Sequence, residues 1–552
     1  MTEEKVPVLI VGAGAAGLSL SLLLQQQGVA SLLIERREDI SIYPRARNLN
    51  FRTMEIFRGL GLAAEVHAAG SHVSQMVLKE TLASKNQELV DPTANIKLSE
   101  SLTPEPFFWY CPQNRLEPIL RTAAQERGAD VRYGASLVSF TQDEAGVTAT
   151  VEERASGRTY MVRADYLAAC DGAKSPIREE LGIETTGLGV LPEYFIFVYF
   201  RAPWQELVAG HEADAFVIKN AKAEGMFLVA KGDLGMFMIT YRPSAGDSLD
   251  DFTPERCRQL ILDAIGKPEM PVEVVEIAHW QSAERVATQF QQGRVFLVGD
   301  SAHTMPAYKG LGANTAIQSA QNLAWKLAAV IGQRATSDLL KTYEEERLPV
   351  GRFAAHQSLT GPAAAWLPRD TFGTHLGEEE ELPIFYPIVG YRYRSQAIVQ
   401  EDAASAELGE IVLLDREELT GTPGTRVPHV WLDCDSWHIS TLDLLDGRFV
   451  LLCGSKGAAW YKAACTVGAS FGGKLAAYRI GPGGDMVGAG QHWSERMGVS
   501  TKGAVLIRPD GFVAWRHAQA SPYPEILLNR ALRRIHCRSM AISAKASTAS
   551  RR

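Results

Sequence analysis

RVFLVGDSAHTMPAYKGLGANTAIQSAQNLAWKL, residues 294 to 327, decides how the rest of the chain reads. Val295 to Val298 is an unbroken apolar run that ends on Gly299-Asp300, as a buried strand ends at a turn. An irregular loop of small residues follows. The spacing then predicts a long helix from near Thr315, where Thr315 and Gln318 stand as in a capping box. Such a helix would turn the positive end of its dipole back toward the loop. A carboxylate at a strand's end, beside that dipole, suits an electron-rich, partly anionic ligand that carries a polyol.

The N-terminal segment supplies a second ligand-binding turn. Val6 to Val11 reads as a strand and Gly12-Ala13-Gly14-Ala15-Ala16-Gly17 as a glycine turn. A helical pattern runs from Leu18 to Gln27, and a second strand, Ser31 to Ile34, ends at Glu35, 18 residues beyond Gly17. This is the dinucleotide fingerprint in the context it requires. The glycines let the backbone approach a pyrophosphate, the helix start stabilises its charge, and Glu35 can accept both hydroxyls of an adenosine ribose. A flavin dinucleotide satisfies both turns.

Composition narrows the class. The 552 residues suffice for roughly three or four domains. A net charge of −8 argues against nucleic acid or a membrane surface as partner. No apolar run is long enough to span a bilayer, and the N-terminus lacks a signal peptide's apolar core. Seven scattered cysteines, with no Cys-x-x-Cys and no metal-ligand spacing, point to a reduced, cytoplasmic chain without a metal site.

Further candidates lie between these turns. Arg45 and Arg47 occupy a loop after the second strand, and Arg36 follows Glu35 directly. Gln113 stands at the entrance of a helix expected over 119–125. Segments 131–138, 147–152 and 160–163 alternate as a meander does. The strand 166–169 ends at Cys170-Asp171-Gly172, a second carboxylate at a strand's C-terminal end. From 194 to 283 the pattern is β-rich, aromatic and methionine-rich, one face being a candidate cavity wall, and a helix over 254–265 closes the unit. A helix from Asp338 is expected to end near Pro349. Asp510-Gly511 signals a tight turn within a C-terminal α/β unit.

The fingerprint at 12–17, DGAKSPIR at 171–178, GDSAH at 299–303, CPQNRLEPIL at 111–120 and NLAWKL at 322–327 together resemble the class A flavoprotein aromatic hydroxylases. The likeness is to the phenol, aromatic-polyketide and indolocarbazole tailoring subset. It implies an α/β chain with a Rossmann-like FAD-binding domain at 1–72, 110–183 and 284–360. An interleaved β-sheet substrate domain would occupy 73–109 and 184–283. A connector at 361–405, a thioredoxin-like domain at 406–537 and a disordered tail at 538–552 would complete the chain. One FAD per monomer or homodimer subunit is implied, with NAD(P)H as transient donor, dioxygen as oxidant and a bulky aromatic or phenolic substrate.

Carried over by resemblance, Gly12, Gly14, Ala15, Ala16, Gly17, Glu35, Arg36, Arg45 and Gln113 would contact FAD. Asp171 and Gly172 would support the pyrophosphate region and NAD(P)H docking, and Asp300 would hold the ribityl chain. Gly310, Leu311, Gly312, Ala313 and Asn314 would line the flavin. The implied reaction delivers hydride to flavin N5, adds oxygen at C4a and transfers its distal atom to the ring. Relatives read Pro-Pro-Thr-Gly-Gly-x-Gly where this chain has Pro306-Ala307-Tyr308-Lys309-Gly310-Leu311-Gly312. Pro306, Tyr308 and Lys309 therefore become the catalytic candidates, Lys309 either meeting a phenolate or turning to solvent. The altered loop also admits an oxidase or Baeyer–Villiger reading, and a non-catalytic flavin-binding assembly protein is the third reading. His303 is expected to be structural, packed and hydrogen bonded beneath the loop.

Overall fold

The computed structural model describes residues 3–538, except 44–45, 73–75, 91–101, 210–214, 242–245, 361–380, 401–410, 416–418 and 489–492. Arg45, much of the connector and, after Arg538, the expected tail lie outside the described residues.

Four parallel pairings build the nucleotide-binding sheet. Its strands run in the order 291–292, 295–297, 158–169, 3–11, 31–35 and 130–133, and a hairpin over 135–143 and 146–153 joins its side. The strands are apolar and buried on both faces, as Val8, Leu9, Ile10, Leu32 and Leu33 show, because helices cover both sides. Two short expected segments, 160–163 and 166–169, are one strand, Arg158–Ala169. Its alternating half pairs with the hairpin and its apolar half with the parallel sheet.

The second sheet is ordered 303–304, 273–287, 185–201, 234–241, 224–231, 215–219, 76–79 and 88–90. Alternation decides its faces. Ile196, Val198 and Phe200 pack with the helix Pro254–Ile265 in one core. Tyr199, Leu228 and Met236 form a separate cluster on the other side, with Phe197 and Tyr43. Residues 102–109, expected with this sheet, lie instead on the nucleotide domain. Phe108–Tyr110 pairs with Asn48–Asn50, and the Thr103 hydroxyl donates to Glu55 at 2.8 Å.

Helix boundaries differ from expectation in several places: the helix expected over 119–125 already begins at Gln113, and that expected from Leu18 begins at Ala15. The long helix spans Leu311–Ile331 and starts after a 3₁₀ turn at Ala307–Lys309, with Gly310 at φ +61° as the residue before it. Thr315 and Gln318 are therefore helix interior, and their capping spacing is coincidental. The helix from Asp338 continues through Pro349 to Gln357. Proline removes one hydrogen bond, but the extra turns bury Val350, Gly351, Ala354 and Ala355.

The C-terminal unit has strand Phe449–Gly454, helix Ala458–Ser470, parallel strand Leu475–Ile480, hairpin Ala504–Ile507 and Val513–His517, and helix Pro524–Ile535. This is the thioredoxin-like arrangement. Its Asp510-Gly511 turn is buried against the long helix. Glu346 accepts from Lys326 at 2.8 Å and from Arg508 at 2.6 Å, and Arg508 also meets Asp510 at 2.5 Å. Asp510 accepts from the Trp325 indole at 3.1 Å and from Asn322 at 3.2 Å. A further pair, Arg426 with Glu55, crosses the same boundary.

Burial alone would raise the Glu346 carboxyl, yet Arg508 and Lys326 outweigh it and hold it far below the usual carboxylate range. Its stabilisation is thus present above the unfolded carboxylate pKa and lost only in strong acid. Glu346→Ala strands two cations with side chains fully shielded from solvent and should cost about 3–5 kcal/mol in chemical denaturation. A loss under about 1 kcal/mol would mean that water reaches the cluster.

Candidate active site

The first glycine turn is shaped for a close ligand. A Cβ on Gly12, at φ +107°, would lie 2.2 Å from the Cys170 carbonyl, and one on Gly17 would lie 2.0 Å from the Gly12 carbonyl. Neither position admits a side chain. Gly14 precedes the helix Ala15–Gln26, and no side chain caps that helix. Its amides at Ala16 and Gly17 have no helical acceptor and are available to a pyrophosphate, while the Ala15 amide donates to the Glu117 carboxyl. This cradle fits a dinucleotide.

Glu35 holds the turn from the next strand. Its two oxygens accept from the amides of Ala13 and Arg37, both at 2.9 Å. Arg36 is exposed, and its carbonyl accepts from Arg154 at 3.0 Å. Gln113 begins the helix Gln113–Glu126 and donates to Glu117 at 2.5 Å. Glu117 is absent from the sequence-derived candidates. The Gln-x-x-x-Glu spacing, one helical turn, is the signal that could have found it. Its carboxyl is buried, and burial pushes it up to about 7, with Gln113 opposing.

The second turn is self-contained. The Asp171 carboxylate accepts from Ser175 at 2.7 Å and from the Ile177 amide at 3.2 Å, and burial raises its pKa against those bonds. Gly172 sits at φ +89°. Asp171 thus organises its own loop. Arg178 ties this loop to the third turn by donating to the Ser301 carbonyl at 2.9 Å.

The third turn, Gly299–Ser301, lies where two helices meet. A Cβ on Gly299 would be 3.0 Å from the Ala16 Cβ and 3.2 Å from the Ala316 Cβ. Asp300 is exposed beside it, and the buried Ser301 hydroxyl donates to the Ala169 carbonyl at 2.6 Å. His303 is packed near Phe290 and Gly351 as expected. The expected hydrogen bond is missing: neither ring nitrogen has a partner among the described residues. Burial, then Arg347, pulls the imidazole down to about 3, so it is neutral.

Pro306 precedes the 3₁₀ turn, and Tyr308 is the turn's middle residue. Lys309 adopts neither expected orientation. Its ammonium pairs with Glu381 and with the Thr360 hydroxyl, both at 2.9 Å, and its side chain is only 12% exposed. Gly310 supplies the positive φ before the long helix, so the amides of Leu311, Gly312 and Ala313 lack helical acceptors. The Asn314 side chain is a clamp. It accepts from the Asn50 amide at 2.9 Å and donates to the carbonyls of Asn48 and Gly310 at 2.8 and 2.7 Å.

Residues 5–358 match the family described as "FAD binding domain", and residues 420–538 match "Aromatic-ring hydroxylase, C-terminal". The chain belongs to the FAD-dependent aromatic-ring hydroxylases. This hydroxylase is 37% identical to a 4-methyl-5-nitrocatechol 5-monooxygenase of Burkholderia sp, over 97% of this chain and 98% of that one. It is 38% identical to a tetracenomycin A2 monooxygenase-dioxygenase of Streptomyces glaucescens, over 94% of both chains. A ternary complex of aklavinone-11 hydroxylase with FAD and aklavinone superposes with a TM-score of 0.86 at 34% identity, covering 98% of this chain and 100% of that one. Among the described residues no helix is long and apolar enough to cross a membrane, and no cluster could hold a metal.

The Glu117 pKa lies above its unfolded value, so the folded hydroxylase binds the extra proton between about pH 4.5 and 7. Stability therefore falls as pH rises through that window, by up to about 3 kcal/mol. Glu117→Gln keeps the acceptor for Gln113 and should flatten the fall, as read by unfolding of the FAD-free protein at pH 5 and pH 8. An unchanged pH slope would place the proton elsewhere.

Proposed function

We propose that this hydroxylase is an NAD(P)H-consuming monooxygenase that inserts one oxygen atom into a bulky, electron-rich aromatic ring of the phenolic or polyketide type. The observation that carries the reading is the path of the loop after Val298. It leaves the nucleotide sheet at Leu297 and enters the second sheet at His303–Thr304, which pairs with Arg285 and Val286. A FAD bound at the three turns would present its reacting end to a sheet face rich in aromatic and methionine side chains. Phe195, Phe197 and Trp280 stand there with ring centroids 5.5 to 6.5 Å apart. Tyr43 lies 3.9 Å from Tyr199, and its hydroxyl bonds Glu276, joining the loop after the second strand to this sheet.

Bound FAD supplies hydride acceptance and dioxygen activation. The chain's share is to bind, orient and exclude water. The long helix presents its positive end and the free amides of Leu311 and Gly312 where negative charge develops. Asp300 meets the ribityl hydroxyls from the strand's end. Lys309, through Glu381 and Thr360, holds the loop in place, which favours ring hydroxylation over the oxidase or ring-insertion reading that the altered loop admits. The names of the relatives favour a tailoring step in aromatic natural-product synthesis, carried out in the cytoplasm.

NADH or NADPH oxidation by the FAD-loaded enzyme should rise at least tenfold with an accepted polycyclic phenol, the scale of substrate-gated turnover. With labelled dioxygen, one labelled atom should enter the product. Peroxide release without labelled product would contradict the reading. Asp300→Ala should weaken FAD retention about tenfold or more, from loss of charge-assisted hydrogen bonds. Unchanged affinity would remove the ribityl contact. Lys309→Met and Glu381→Gln should impair turnover to a similar extent, and their double variant should be no worse than either alone. Additive losses would give Lys309 a second role.

A further inference from the structure

Arg347 is fully buried, and among the described residues no carboxylate stands within ion-pair distance of it. Its neighbour in sequence, Glu346, gives both oxygens to Arg508, and further accepts from Lys326, Asn322 and Ser395. The Arg347 guanidinium is left with neutral acceptors. It donates to the Ser319 hydroxyl at 3.0 Å, the Thr315 carbonyl at 3.2 Å and the Tyr393 and Tyr391 hydroxyls at 2.8 and 3.3 Å. A buried charge without a counter-ion is costly, and such groups persist where they serve a site.

The position of Arg347 indicates the service. The guanidinium bridges Thr315 and Ser319, the fifth and ninth residues of the helix Leu311–Ile331, so the charge sits roughly 6–12 Å along the axis from the helix start. The helix end carries only a partial positive charge, about half a unit, whereas the guanidinium is a full one and cannot lose its proton. Arg347 also faces the underside of the loop, where its field helps keep His303 neutral.

We propose that Arg347 is a positioning residue for the flavin: it fixes the first turns of the long helix and places a permanent, uncompensated positive charge behind them. That charge stabilises negative charge on the isoalloxazine ring. The inference rests on FAD occupying the helix start, and it does not depend on which substrate is hydroxylated.

Sulfite affinity reports this field without substrate, NAD(P)H or turnover, because sulfite binding leaves the ring system anionic and bleaches its visible absorption. In the FAD-loaded protein, Arg347→Gln should bind sulfite roughly tenfold more weakly, the order expected for one unit charge acting through protein interior. Arg347→Lys, which keeps the charge, should stay within about threefold of the parent. Tyr393→Phe removes a contact of Arg347 and keeps the charge, and should leave sulfite affinity unchanged. Parent-like sulfite affinity in Arg347→Gln would overturn the proposal, as would an equal loss in Tyr393→Phe, which would assign the effect to packing. If Arg347→Gln does not retain FAD, the lysine variant decides: parent-like affinity supports the proposal and a tenfold loss overturns it. A protein that binds sulfite as expected yet shows no substrate-stimulated NAD(P)H use would refute the proposed function and leave this inference standing.

Discussion

The close approach at Gly299 is the constraint on which the structure depends. A glycine at φ +72°, with no Cβ to crowd Ala16 and Ala316 near 3 Å, lets the helix from Ala15 and the helix from Leu311 meet closely over one strand end. Two helix starts without side-chain caps thus converge at one strand end, and their amides without helical acceptors suit a ligand with an anionic centre. The turn at Asp171-Gly172 joins them through Arg178, which spans to the Ser301 carbonyl. Three turns from distant parts of the chain become one binding surface.

The same stretch ties together the remaining parts. Its strand belongs to the nucleotide sheet, its loop to the second sheet, and the far end of its helix to the thioredoxin-like unit. That last unit has no redox pair in the expected position. Cys453 is buried in its strand, and burial pushes the thiol up to about 12, where it is inert near neutral pH. The unit's contacts with the long helix are structural. Arg508 and Asp510 clamp the long helix from behind, and Arg52 bridges to the Asp510 carbonyl at 2.6 Å. A flavin site built on a helix start benefits from a helix that cannot shift along its axis.

The parts of this architecture set by local backbone demands were legible in the sequence. The glycine turn, the strand ends at Asp171 and Asp300 and the Asp510-Gly511 hairpin each need particular residues at particular offsets, and all stand where the spacing indicated. What was illegible depends on partners distant in the chain. Glu346 and Arg508 are separated by 162 positions, and no local pattern marks them as a pair. Lys309 invited two readings because its partners, Thr360 and Glu381, reach it only through tertiary packing. The capping-box spacing at Thr315 misled because Gly310 already sets the helix start at Leu311, four residues earlier. Pro349 misled for a related reason: burial of the following turns outweighed a local penalty.

The most direct measurement is FAD binding by the FAD-free chain, titrated by flavin fluorescence or calorimetry, in the parent and in Gly299→Ala. The parent should take up one FAD per chain. The alanine variant combines positive-φ strain with two helix contacts near 3 Å, and should bind at least tenfold more weakly while retaining its fold by circular dichroism. A parent that takes up no FAD, or an alanine variant that binds it equally well, would contradict the convergence on which the account is built.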